Sequence, residues 1–176
     1  ICICAMGVSG IQSFIFQSKN SSFKNAAKLF RGRSFIVSSI STAYKYMVCK
    51  AIGVIPFVDI IDAGGKITLI LPNFNGIDAI LDEVHKKIEA FLLKEYFGTL
   101  SIVADYSLKV DSRYFLVAKK NNSNINFKEL QRQIGFKLNR KKNNKFARVL
   151  SDVNYVFEDF DLSGQVCVAC GKHSCK

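Results

Sequence analysis

Acidic residues are scarce in this chain. Its 176 residues carry 14 Asp and Glu against 25 Lys and Arg, a formal charge of +11. Such a deficit points to a polyanionic partner, either nucleic acid or nucleotide phosphate. Long apolar runs are missing as well. None approaches the roughly 20 residues that a membrane span needs, so no membrane role is expected. The opening Ile1-Cys2-Ile3-Cys4-Ala5 has neither a basic leader nor an initiator Met. It is expected to be a strand within a longer chain rather than a signal peptide. A disulfide framework is also lacking. Cys2, Cys4 and Cys49 lie in apolar stretches and read as buried free thiols. Cys167, Cys170 and Cys175 gather beside His173 at metal-ligand spacing, which fits a reducing cytoplasm. What is present in quantity is apolar surface. Hydrophobic residues make up 49% and charged residues 22%, enough for one good core and an appendage.

The most informative stretch is Val8-Ser9-Gly10-Ile11-Gln12-Ser13-Phe14-Ile15-Phe16. The run before it reads as a buried strand, Ser9-Gly10 as the turn leaving that strand, and the Ile/Phe spacing as a helix start. Free N–H groups at such a turn suit a phosphate. A helical pattern follows from Ala26 to Gly53, with Ser34 as the expected cap of its main part and Arg31 and Arg33 just before it. Val54 to Asp62 and Ile67 to Leu71 read as strands joined by Ala63-Gly64-Gly65-Lys66, a tight reversal. Ile77, Ile80, Leu81, Val84, Ile88, Phe91 and Leu92 form a helical stripe, with His85 expected on its solvated side. Alternation from Leu100 to Val110 marks a further strand, and Tyr114 to Ala118 a short strand or helix start.

This order predicts an α+β, ferredoxin-like βαββαβ fold: a four-stranded antiparallel sheet with helices 34–52 and 76–97 on one face. Residues 1–118 would form that unit, 119–160 a basic helical extension, and 161–176 the start of a zinc-binding module. In the extension, Asn126 and Glu129 suggest a capping box, and Phe127, Leu130, Ile134 and Leu138 an amphipathic helix. Lys137, Arg140, Lys141, Lys142, Lys145 and Arg148 make its end densely basic, a candidate contact for nucleic acid or an acidic partner. In the tail, Cys167 and Cys170 are spaced as a zinc knuckle with Gly171 easing the turn. His173 and Cys175 are the nearest further ligands, although closing a tetrahedral site within nine residues is sterically awkward.

Five stretches in order resemble one family. Val8 to Phe16 resembles its Asp-Ile-Ser-Gly-Ile-Gln-x-Phe-Ile motif, and Arg31-Gly32-Arg33-Ser34-Phe35 its Leu-Arg-Gly/Ala-Arg-Ser-Phe motif. Ala63 to Lys66 with Leu69-Ile70-Leu71-Pro72-Asn73 resembles its glycine hairpin, Lys141 to Phe146 its Lys-Lys-x-x-Lys-Phe, and Cys167 with Cys170 the start of its zinc insert. The family is the large, polymerase/cyclase-like subunit of type III-A (Csm) CRISPR interference complexes. The resemblance implies the first of two palms, without the HD nuclease domain or the second palm and its Gly-Gly-Asp-Asp. It further implies ATP held between the palms, with weak binding here alone near Ser9, Gly10, Arg33, Ser34, Gly64, Gly65 and Lys66. Zinc would belong to the completed tail module, and Mg²⁺ is expected only with the second palm. The implied partners are that second palm, other type III effector subunits, and CRISPR and target RNA through the complex.

The family's leading Asp falls at Gly7 and its catalytic Asp-Asp step at Lys66-Ile67. Two-metal phosphoryl transfer needs carboxylates there, so the chain alone is expected to be catalytically inactive, with Lys66 offering charge to a triphosphate instead. Asp62 stands nearby as a structural carboxylate. Two other readings compete. An RNA-binding ferredoxin-like domain would expose strand aromatics, whereas Phe14, Phe16 and Phe57 lie in apolar runs that read as core. A stand-alone nucleotide cyclase would need the missing carboxylates.

Overall fold

Strand β1, Cys2–Ser9, is buried along almost its whole length on both faces, which requires a cover on each side. The computed structural model describes residues 1–16, 26–115 and 126–151 and shows both covers. β1 is a central strand. It pairs antiparallel with β3, Lys66–Leu71, on one side and with β4, Ser101–Lys109, on the other. β2, Asp59–Ala63, adds to β3, giving the order β2-β3-β1-β4. That is the antiparallel sheet of a βαββαβ unit.

Cys2, Cys4, Met6 and Val8 point to one face and join Ile67, Leu69, Leu71, Ile102 and Ala104 in the main core. Two helices close it. α2, Ala26–Ile52, contributes Val37, Ile40, Tyr44 and Val48; α3, Ile77–Tyr96, contributes Ile77, Leu81, Val84, Ile88 and Leu92. Short α1, Ile11–Phe16, leads off β1 and adds Phe14. Both long helices lie on one face, as the periodicity predicts. α2 stops where Gly53 takes a φ of 80° and α3 where Phe97 and Gly98 turn left-handed.

Ile3 and Ala5 point the other way, to a smaller core with Val110, Leu130 and Ile134. The last two belong to α4, Phe127–Lys141, whose cap is Asn126: its side-chain oxygen accepts the Glu129 amide at 2.9 Å. The chain then passes round the β4 edge through a 3₁₀ turn at 142–144. Phe146 rejoins the main core, and α5, Ala147–Leu150, lies against α3. The basic extension thus passes from one face of the sheet to the other beside β4, touching Asp105 through Lys141 and Tyr106 through Arg148.

Several expectations need correction. Ser34 is not a cap, because α2 runs unbroken from Ala26 and Ser34 lies inside it. The strand expected from Val54 shortens to Asp59–Ala63, with only Val58 accepting one further bond from Ile70. Phe16, Phe57 and Phe91 are exposed rather than core. His85 is buried at 1% exposure, not solvated. Ser112–Phe115 is a 3₁₀ turn; the rest of the expected 114–118 element lies outside the described residues.

Candidate nucleotide-facing edge

Two sharp turns meet at the end of β1. Gly10 has a φ of 88°, and a Cβ on it would stand 2.1 Å from the Thr99 carbonyl oxygen, so only glycine fits. Gly65, at φ 97°, would bring a Cβ to 2.8 Å from Ile11 Cδ1 and 3.2 Å from Val37 Cγ1. Its carbonyl accepts the Val8 amide at 2.7 Å. Each glycine therefore allows a close backbone approach. Together they seat the β2–β3 hairpin tip on the Ser9-Gly10 turn, which brings Ser9, Gly10, Gly64, Gly65 and Lys66 to one edge. Gly64, at φ 52°, has open space where its side chain would be.

Gly7 and Lys66 are direct partners across β1 and β3. Strand alternation puts both on the sheet face opposite α2 and α3, and the Lys66 Cγ lies 4.0 Å from where a Gly7 Cβ would stand. Val103 Cγ2 is 3.9 Å from the same point. The stem of Lys66 therefore leans over the bare backbone of Gly7, and neither position offers an oxygen ligand. Nearby acids are engaged elsewhere: Lys45 holds Asp62 at 2.9 Å and Asp59 at 3.6 Å. Asp62 is thus held in an ion pair at the end of β2.

Arg33 and Ser34 are placed differently. Arg33 is buried, and its Nη1 donates to the carbonyls of Phe14 at 2.8 Å and Ile15 at 3.2 Å while its guanidinium lies over the Phe14 ring. It satisfies the end of α1. Ser34 is exposed, one turn before the Val37 that touches Gly65. Neither sits at a helix N-terminus. Ser101 pairs with Ser9 across β1 and β4. Its hydroxyl is buried and makes no hydrogen bond among the described residues. Strand alternation within 100–110 marks it as facing the Gly7 side, but its pairing with Ser9 spans too much sequence to be read locally.

The six basic residues of the extension divide. Lys137 donates to Ser107 Oγ, Lys141 lies 3.7 Å from Asp105, and Arg148 donates to Asp82 at 2.7 Å and to the Tyr106 hydroxyl at 2.9 Å. These three hold the extension to the sheet and α3. Burial alone would raise the Asp82 pKa, but hydrogen bonds from Tyr106 and Arg148 hold it below the usual value. Arg140 stacks on Phe136, and Lys142 and Lys145 are exposed. Cys2, Cys4 and Cys49 are buried free thiols, with burial pushing Cys4 up to about 12. Cys167, Cys170, His173 and Cys175 lie outside the described residues; among those described, no cluster of ligating side chains could hold a metal ion. No described helix is long and apolar enough to cross a membrane.

The β2-β3-β1-β4 sheet, its paired helices and its glycine hairpin define a ferredoxin-like palm. The family model described as Csm1 subunit domain B matches residues 1–159, and the chain belongs to that family. Solved structures agree on the fold. A Csm1–Csm4 cassette in complex with cA4 matches with a TM-score of 0.71 at 22% identity, over 84% of this chain and 19% of that one. The cassette in complex with one ATP gives 0.70 at 22%, with the same coverage. The Csm1–Csm4 subcomplex in the type III-A CRISPR–Csm interference complex also gives 0.70 at 22% identity, covering 84% of this chain and 19% of that one. The chain thus spans 19% of the length of the structures it matches. No curated protein matches it.

Proposed function

We propose that this chain is the first, non-catalytic palm of a type III-A CRISPR large subunit and forms one wall of an ATP site serving cyclic oligoadenylate synthesis. The observation that carries this reading is the Gly7–Lys66 pair. At the two places where a catalytic palm would present metal-holding carboxylates, this one has bare backbone and an ammonium. These residues do not fit Mg²⁺, and no metal-dependent step is assigned to them. They do suit an anion: Lys66 places a positive charge beside an open glycine hairpin, with the Ser9 hydroxyl adjacent. Arg33 acts in this scheme by fixing α1 and the turn before it.

In this reading residues 1–118 are the palm, 119–160 the basic extension and 161–176 the start of a zinc module with Cys167 and Cys170 as first ligands and His173 or Cys175 as further ones. The partners are the second palm of the same protein, other effector subunits, and CRISPR and target RNA through the complex. The matched cassettes were solved with ATP and with cA4, which supports nucleotide as the ligand. RNA recognition on an open sheet is disfavoured, because α2 and α3 cover one face and α4 packs on the other.

The test is ATP titration of the full-length protein. Lys66→Glu should weaken binding about tenfold or more, as expected when a charged contact is reversed, and Ser9→Ala less. Unchanged affinity in both variants would place the site elsewhere. The isolated chain with Mg²⁺ and ATP should yield no cyclic oligoadenylate.

A further inference from the structure

α4 has two unlike sides. Its inner side packs Leu130 and Ile134 against the sheet, and its outer side exposes Lys128, Arg132, Phe136 and Arg140. Residues four apart fall one above another, so these form a single stripe of three cations and one aromatic ring. Phe136 is 62% exposed, and the Arg140 guanidinium carbon lies 5.8 Å from its ring centroid. Arg132 chelates Glu129 through two bonds of 2.7 Å, which holds its guanidinium at the helix surface. Beside the ring, Arg132, Gln133, Phe136 and Lys137 line a cavity of about 240 Å³. Gly135 adjoins it in sequence, and beyond its chain neighbours and its own helix backbone nothing lies within 4 Å of where its Cβ would stand. Packing therefore does not demand glycine there, although mid-helix glycine costs about 1 kcal/mol against alanine.

We propose that this stripe binds single-stranded nucleic acid, with one base stacked on Phe136 and backbone phosphates held by Lys128, Arg132 and Arg140. Charge complementarity selects a polyanion, since the chain carries +11 and the stripe sets Lys128, Arg132 and Arg140 against a single carboxylate, the Glu129 that Arg132 chelates. The exposed ring selects among polyanions. An acidic peptide would be served by the cations alone, whereas a base offers a π-face to the ring and a phosphate to the neighbouring guanidinium. Of the basic residues that the sequence marks as a candidate nucleic-acid contact, Arg140 alone lies in this stripe. The structure engages Lys137, Lys141 and Arg148 inward and leaves this outer stripe uncovered by any described residue. None of the proposed ATP-site residues takes part, so the two readings stand or fall separately.

The experiment uses the full-length protein and a 12-nucleotide oligouridylate carrying 4-thiouridine and a fluorescent label. Phe136→Ala should weaken binding about tenfold, and Phe136→Trp should retain it. Arg132→Glu with Arg140→Glu should weaken binding and flatten its salt dependence. Photo-crosslinks should map to the peptide containing Phe136. All these residues are exposed, so circular dichroism should show an unchanged fold. Crosslinks confined to other peptides, or unchanged affinity in both variants, would overturn the proposal. Displacement of the oligonucleotide by polyglutamate, with no effect of Phe136→Ala, would assign the stripe to an acidic protein instead and overturn it as well.

Discussion

His85 donates from Nε2 to Glu89 Oε1 at 3.3 Å, and both side chains are almost wholly buried between α3 and the rest of the main core. The His85 Nδ1 and the other Glu89 oxygen have no partner among the described residues. Burial lowers the imidazole pKa below its ordinary value, against the upward pull of Glu89. A base with a depressed folded pKa contributes stability that is complete above the unfolded value, about 6.5, and is lost as pH falls through it towards the folded value. Melting temperature should therefore fall between pH 7 and pH 5, and fall less in His85→Leu with Glu89→Leu. His85→Leu alone should cost about 2 kcal/mol at pH 7, because it leaves the buried Glu89 Oε1 without its hydrogen-bond partner. Parallel slopes for the wild type and the double variant would show that His85 does not titrate on unfolding. The burial of His85 was legible, since Leu81, His85, Ile88 and Leu92 fall on one helical stripe, but residue type outweighed position. Arg33 was not legible, because the carbonyls it satisfies lie 18 and 19 residues away.

Element existence and type followed closely from periodicity, and boundaries less so. α3 and α4 carry regular apolar stripes ended or begun by recognisable caps, and both appear nearly where the pattern puts them. Ser34 misled because a serine followed by apolar spacing resembles a helix start, while Ala26 to Phe30 already favour helix and carry α2 through it. β2 is shorter than its apolar run because Ile55 and Phe57 are exposed and only the part facing β3 is held. Of the candidate site, the two glycine turns were readable, since tight reversals need positive φ. The seating of one turn on the other was not, because it depends on β1 and β3 becoming neighbours. The Asn126 cap was readable and offers a direct check. Asn126→Ala should lower stability by about 1 kcal/mol in denaturant titrations, with the slope unchanged. No loss would mean that α4 is held by packing alone. Glu129 closes only half of the expected box: Arg132 and Gln133 occupy its carboxylate and lower its pKa to about 2.

On the scale of the whole molecule, the strand written first is completed last. Cys2 pairs with Leu71 on one side and Lys109 on the other, and Gly7 with Lys66 and Val103. During synthesis β1 emerges with two apolar faces and ahead of both its sheet partners. It gains one when β3 follows, and the other only when β4 has left the ribosome. Closing such long loops is entropically costly and slow, and an unpaired apolar strand is prone to aggregation meanwhile. Ribosome-stalled chains ending before Ser101 should leave β1 open to brief proteolysis, and chains extended well beyond Lys109 should protect it. Equal protection in both would mean that β1 finds its place without β4. For a protein made in this order, the vulnerable interval is the translation time between the third and fourth strands, and that time is governed by the length of α3.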